Sequence, residues 1–330
     1  MANPLRLEVH RITLEHKVKG KKGNRETYEK CDFKELLLKL DHDKQKAFAK
    51  FWVDLIGYFA GEYMINGAQD KAITVTANEK YSVASVNNVI DGEICGGPTN
   101  REQAVYKRKN AKAQISKVFD DDVVSSKFYV KLWMPYDYTS GVLMIQSYSN
   151  SNISDLVRDH LRKYVQKLGF RLVVSAYLPK EIQDKRSKAS EVVSVTYIKD
   201  NISKEKSKLL NPLFAEYENL RIKVEISGFK KSFVEFCANF KNEGLALNTD
   251  IDALDMNKDD DDLNVIAKYK DADGRESTYN VDKQKLRDFA YIFLPEGINV
   301  DGKNVYDFEK IKKHTDSILD SIKKEINYLR

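Results

Sequence analysis

No apolar run in the chain approaches the ~18–20 residues that a bilayer-spanning helix needs. The longest, residues 48–65, is broken by Lys50, Asp54, Gly57, Gly61 and Glu62. The first six residues lack the charged and apolar regions of a secretory signal, so neither export nor membrane insertion is expected. Cysteine is scarce: Cys31, Cys95 and Cys237 lie far apart with no C-x-x-C pair. That pattern suits free thiols in a reducing cytoplasm and argues against a disulfide framework or a zinc finger. His10, His16, His42, His160 and His314 show neither H-x-x-x-H nor H-E-x-x-H spacing, so no metal site and no cofactor is expected. There is no G-x-S-x-G elbow, kinase motif set or G-x-G-x-x-G fingerprint, and Gly20 and Gly23 do not form a phosphate-binding P-loop. A calcium loop starting at Asp255 fails, because Asp260 stands where glycine is needed and Ile266 where the bidentate glutamate belongs.

What is present is a charged, aromatic-rich chain of 330 residues, long enough for two domains. Aromatic residues make up 11%, which argues against disorder, because chains that cannot bury a core are poor in them. The charge is uneven. Residues 1–200 carry 33 Lys+Arg against 25 Asp+Glu, and residues 201–330 carry 22 against 25. A basic first part and a mildly acidic second part point to a polyanionic partner at one end, with a merely solvated surface as the bland alternative.

Residues 141–178 organise the chain as strand, helix, strand. Val142–Ile145 is a continuous apolar run, as in a strand buried on both faces. Ile153, Leu156, Val157, Leu161, Tyr164, Val165 and Leu168 then recur at helical spacing, and Gly169 suits a left-handed C-cap. The opposite face of this helix carries Arg158, Arg162, Lys163 and Lys167. Asp155 and Asp159 are spaced for ion pairs within the helix. A second helix is predicted over 44–58, with Phe48, Phe51, Trp52, Leu55, Ile56 and Phe59 as its core face. Residues 91–98 are turn-rich, and 200–208 have the composition of a linker, which sets the domain boundary at 203/204. In the second part, 220–226 alternates as a strand and 231–241 suits a short helix. Residues 263–270 and 275–281 form a hairpin around Asp273-Gly274. Phe308, Ile311, Thr315, Ile318, Ile322 and Leu329 mark a helix over 307–329, whose stripe suits packing on its own domain, the default, or a dimer seam. The fold class is therefore α+β: mixed sheets with packed helices, two domains (1–203 and 204–330) and a long C-terminal helix.

Two further basic clusters join the helix face. Lys17, Lys19, Lys21, Lys22 and Arg25 surround two glycines in a hairpin tip or arm, and Tyr106 precedes Lys107, Arg108 and Lys109. Basic residues beside an aromatic suit phosphate contacts with stacking; a charged edge strand or loop is the alternative. The acidic runs 120–122 and 259–262 have the character of surface turns, and Glu225 with Lys223 alone has the look of a nuclease core. An enzyme is thus the less favoured expectation.

The strand, polar loop and helix over 142–168, with Ser154-Asp155-Leu156 opening the helix, resemble the RexA-type phage-exclusion proteins. So does the later order of strand 221–226, hairpin 267–279 and long terminal helix. The arrangement is similar more broadly to two-domain, DNA-binding bacterial phage-defence proteins. What the resemblance implies is a cytoplasmic, dimeric binder of double-stranded DNA, acting as sensor or effector component in phage defence and abortive infection with a partner effector protein. A metal-dependent nuclease and a protein–protein adaptor without DNA binding are the competing classes.

Overall fold

The computed structural model describes residues 5–19, 26–60, 63–75, 80–100, 103–107, 110–119, 121–148, 151–182, 184, 190–233, 235–236, 263–270, 276–281, 291–300 and 305–328. The chain divides into two compact units, 1–177 with 291–330, and 178–290. This division differs from the 203/204 boundary read from sequence, because residues 191–202 pair within the second sheet and residues 291–293 rejoin the first.

The first unit runs through β1 (Arg6–Lys19), β2 (Glu26–Lys30), α1 (Phe33–Leu38), α2 (Lys44–Phe59), β3 (Met64–Ile65), β4 (Lys71–Thr74), β5 (Tyr81–Ala84) and β6 (Val89–Pro98). It continues with β7 (Gln103–Lys107), β8 (Asn110–Val118), β9 (Ser126–Trp133), β10 (Ser140–Ser147), α3 (Ser154–Lys167) and β11 (Arg171–Ala176). The second unit holds β12 (Glu191–Ile202), α4 (Lys204–Leu210), β13 (Leu220–Ser232), β14 (Leu263–Lys270) and β15 (Glu276–Asn280). The chain then returns to the first unit with β16 (Tyr291–Phe293) and α5 (Phe308–Glu325).

Ten strands form the first sheet, in the order β11-β1-β10-β9-β6-β4-β3, with β2 and β16 also paired to β1 and β5 to β6. Every ladder between named strands is antiparallel, where the sequence suggested mixed sheets. The strand–helix–strand segment is a crossover: β10 and β11 both run antiparallel to β1, which lies between them. β1 occupies the gap because its alternation, Leu7 and Val9 on one face and Ile12 and Leu14 on the other, suits burial on both sides.

The same alternation in β9 separates two cores. Phe128, Val130 and Leu132 join the cluster built with Phe33, Phe48, Phe51, Leu156 and Leu161 of α1–α3. Tyr129, Lys131 and Trp133 point the other way: Tyr129 meets Phe308 edge to face, Trp133 meets Tyr328 in the same way, and Lys131 pairs with Asp316. The stripe Ile311, Thr315, Ile318, Leu319 and Ile322 of α5 is buried. That packing removes it from service as a dimer seam.

Residues 91–98, expected as a turn, lie in the fully paired strand β6. The misleading glycines are needed for close approach. A Cβ on Gly92 would meet the Trp52 ring at 2.8 Å, one on Gly96 the Ala72 carbonyl at 2.6 Å, and one on Gly97 the Val124 carbonyl at 2.0 Å. The linker expected at 200–208 is also structured. β12 continues to Ile202, and Ser203 caps α4 by accepting from the Lys206 amide at 3.3 Å. The second sheet has the order β13-β12-β14-β15, and the predicted hairpin is its β14–β15 pair. The helix expected at 231–241 begins inside the end of β13, and its residues 237–241 lie outside those described.

Candidate nucleic-acid interface

α3 forms where its apolar spacing predicts, with Asp155 in its first turn and Gly169 leaving it at φ +85°. Its start is held by Glu8 of β1, which accepts from Ser154 Oγ at 2.5 Å and from Asn152 Nδ2 at 2.6 Å, with His10 Nε2 3.4 Å away. Burial raises the Glu8 pKa, but the bonds from His10, Ser154 and Asn152 outweigh it, and the carboxylate is held below its ordinary value. Ser154 donates to the glutamate and not to the histidine, so this group clasps a helix end and is not a nucleophile triad.

The basic face of α3 is less free than its sequence implies. Arg158 is half-buried, and its Nε donates to the Ser154 carbonyl at 3.0 Å. Arg162 pairs with Asp159 at 3.0 Å, and its other terminal nitrogen donates to the Val174 carbonyl at 3.4 Å. Lys163 is exposed, and Lys167, also exposed, lies with Nζ 4.3 Å from the Tyr58 ring centroid. His160, beneath them, is held below its ordinary pKa first by burial and then by the Lys163 charge.

The arm begins at the end of β1, which pairs with β2. Lys17 is exposed and opposite Tyr28, Lys19 is opposite Glu26, and Lys21, Lys22 and Arg25 lie outside the described residues. Lys107 ends β7, of which the backbone alone is described, and Arg108 and Lys109 lie outside.

Of the basic residues singled out from the sequence, Arg162 alone among those described lines a groove with residues of other elements. An open groove beside β11 is lined by Tyr28 of β2, Arg162 and Gln166 of α3, and Phe170, Arg171 and Val174. β11 ends the first sheet, so the groove runs along an edge whose Val174 carbonyl is already engaged by Arg162. The Arg171 guanidinium lies 4.9 Å over the Tyr28 ring, and its Nε is 3.6 Å from Glu15. Arg171, Tyr28 and Gln166 escape sequence reading because they belong to separate elements. The one available signal is that Arg171 opens a strand just after a cationic helix. Guanidinium groups, a half-exposed aromatic ring and an amide along one groove can accept phosphates and a stacked base.

Among the described residues, the acidic groups suggested by sequence do not assemble a metal centre. Asp122 accepts the Phe119 amide at 2.8 Å in a turn, Asp120 and 259–262 lie outside the described residues, and Lys223 and Glu225 are both exposed on β13. A buried network joins β6, β9 and α5 instead: Lys131 Nζ lies 2.6 Å from both Asp91 and Asp316, and the Tyr129 hydroxyl donates to Asp91. Tyr306 donates to Glu93 at 3.1 Å, and Lys127 Nζ reaches the same carboxylate at 3.1 Å. Each acid is already matched by a cation or hydroxyl, which is the arrangement of a structural network. Among the described residues one mixed donor group, His16, Cys31 and Glu35, brings its ligand atoms within 4.8 Å of one another. Burial, followed by the charges of Glu35, Asp32 and Glu15, pushes the Cys31 thiol up to about 12.

No helix among the described residues is long and apolar enough to cross a membrane. No protein-family model, no curated protein and no solved structure matches the chain.

Proposed function

We propose that the protein binds double-stranded DNA, mainly through phosphates, with the foot of the β1–β2 arm and the second half of α3 as one surface. The observation that carries this reading is the groove that Arg162 and Gln166 of α3 share with Arg171 of β11 and Tyr28 of β2; Lys163 and Lys167 are further basic residues of α3, and Lys17 is one of β1. Arg158 is a lesser contributor than the helix face suggests, because it is half-buried and does not line the groove. The resemblance to RexA-type proteins extends the reading to a sensor or effector component of bacterial phage defence, in the cytoplasm and without catalysis.

A partner protein is the second reading, and a specific surface favours it. Leu209 of α4, followed by Leu213, Phe214 and Tyr217 after it, is exposed at 65%, 64%, 42% and 60%. Apolar side chains grouped at such exposure mark interaction sites. An effector protein or a second copy of this chain would dock there.

Fluorescence anisotropy with a labelled duplex tests the DNA reading. With six to ten phosphates neutralised, affinity falls by roughly 10³–10⁵ between 50 and 200 mM salt. A flat salt profile refutes it, and nicking of a plasmid in Mg²⁺ would move the protein to the nuclease class.

A further inference from the structure

We propose that His16, Cys31 and Glu35 form a zinc site that fastens the foot of the basic arm to α1. The three donors come from three places: His16 from β1, where it faces Glu29 of β2; Cys31 from the residue after β2; Glu35 from the first turn of α1. The backbone brings them together in a fixed way. The Cys31 amide donates to the Leu14 carbonyl at 3.0 Å, continuing the hairpin, and the Glu35 amide donates to Asp32 at 3.0 Å as the helix starts.

The distances suit a metal. His16 Nδ1 is 2.8 Å from Glu35 Oε2, and the ligand atoms of all three residues lie within 4.8 Å of one another. Zinc with sulfur at about 2.3 Å and nitrogen or oxygen at about 2.0 Å needs tetrahedral edges of about 3.3–3.6 Å. Small rotations of the half-exposed His16 and Glu35 side chains toward the buried thiol supply that geometry.

The chemistry of the donor set selects the ion. A thiolate with an imidazole suits a borderline-soft cation, and hard magnesium or calcium would prefer oxygen alone. Glu15 and Asp32 add negative charge around Cys31, with Lys39 opposing them, so the surroundings favour a divalent cation in sum. On binding, the thiol S–H bond breaks, its proton leaves to water, and a Zn–S bond forms with no change of oxidation state. Three protein ligands leave the fourth position to water.

The structural consequence is local. The ion ties β1 and the residue after β2 to α1 next to the exposed Lys17. The site does not depend on the DNA reading, since metal binding is measured without nucleic acid.

The test is a titration of the chelator-stripped full chain with Zn²⁺ against a chromophoric chelator, and with Co²⁺ read by absorbance. One ion per chain is expected, with a dissociation constant below about 1 μM. Co²⁺ is expected to give a thiolate charge-transfer band and the visible bands of a tetrahedral site. Cys31→Ser should abolish the charge-transfer band, while Cys95→Ser and Cys237→Ser leave it unchanged. Glu35→Gln, at an exposed position where folding is not at risk, should weaken zinc by about 10–100-fold, a loss of the size seen when metal-site partners are removed. A wild-type chain that binds no zinc, or a Cys31→Ser chain with the wild-type cobalt spectrum, overturns the proposal.

Discussion

Replacing Lys131 by Met takes one ammonium from between two carboxylates and leaves the rest of the site intact. Lys131 is fully buried, Asp91 is 2% exposed, and Asp316 is 51% exposed, so the two pairs are unequal. The Asp91 charge loses its cation in a water-poor environment and keeps the Tyr129 hydroxyl as its donor. Removing one partner of a buried pair costs about 3–5 kcal/mol, because the other charge is left uncompensated. The half-exposed Asp316 can turn to water, and Asp316→Asn should cost below about 1 kcal/mol. Replacing both buried charges, Asp91→Asn with Lys131→Met, should recover most of the loss, since an uncharged pair of similar volume is often nearly neutral. The assay is urea unfolding followed by tryptophan fluorescence. Trp52 and Trp133 are the two tryptophans of the chain and both belong to the first unit, so the signal reports on the unit perturbed. A Lys131→Met chain within about 1 kcal/mol of wild type, or a double variant no better than the single one, refutes the electrostatic account of this network.

Arg162→Ala with Arg171→Ala should weaken duplex binding by a similar factor for all sequences and flatten the salt slope by up to about 2, as read by anisotropy. Gly97→Ala places a Cβ 2.0 Å from a backbone carbonyl and should destabilise the first unit by about 3 kcal/mol or more in the same urea assay. His160 and His314 both have pKa values below the ordinary one, first because they are buried. The unfolded chain therefore takes up protons more readily, and the stability they confer is present above about pH 6.5 and lost as the pH falls through their folded values. Melting temperature should drop between pH 7 and 5, and His160→Asn should reduce that slope; an unchanged slope removes His160 from the account.

Much of the secondary structure is legible in the chain itself, because single-element patterns carry it. The apolar spacing of α2 and α3, the alternation at the start of β1 and the Asp-Gly hairpin each need nothing beyond their own residues. β6 is the instructive failure. Its Gly92, Gly96 and Gly97 carry a turn signature, yet they are there because Trp52, Ala72 and Val124 press against the strand. The linker at 200–208 fails for a related reason, since its polar residues are a strand end and an exposed short helix. The site shows the same limit. Arg162 stands out in its helix, but its neighbours Arg171 and Tyr28 are brought in by sheet register, and His16, Cys31 and Glu35 satisfy no spacing rule because three elements supply them.

The order in which this sheet is assembled has a consequence for synthesis. β1 leaves the ribosome well before its partners β10, β11 and β16, which come from residues far later in the chain. Residues 178–290, an entire compact unit, are translated before β16 and α5 arrive to finish the first. A nascent chain halted at residue 290 would therefore hold Tyr129, Lys131 and Trp133 on an uncovered sheet face, a natural target for a chaperone. β1, made well before those partners, must wait for the last of them.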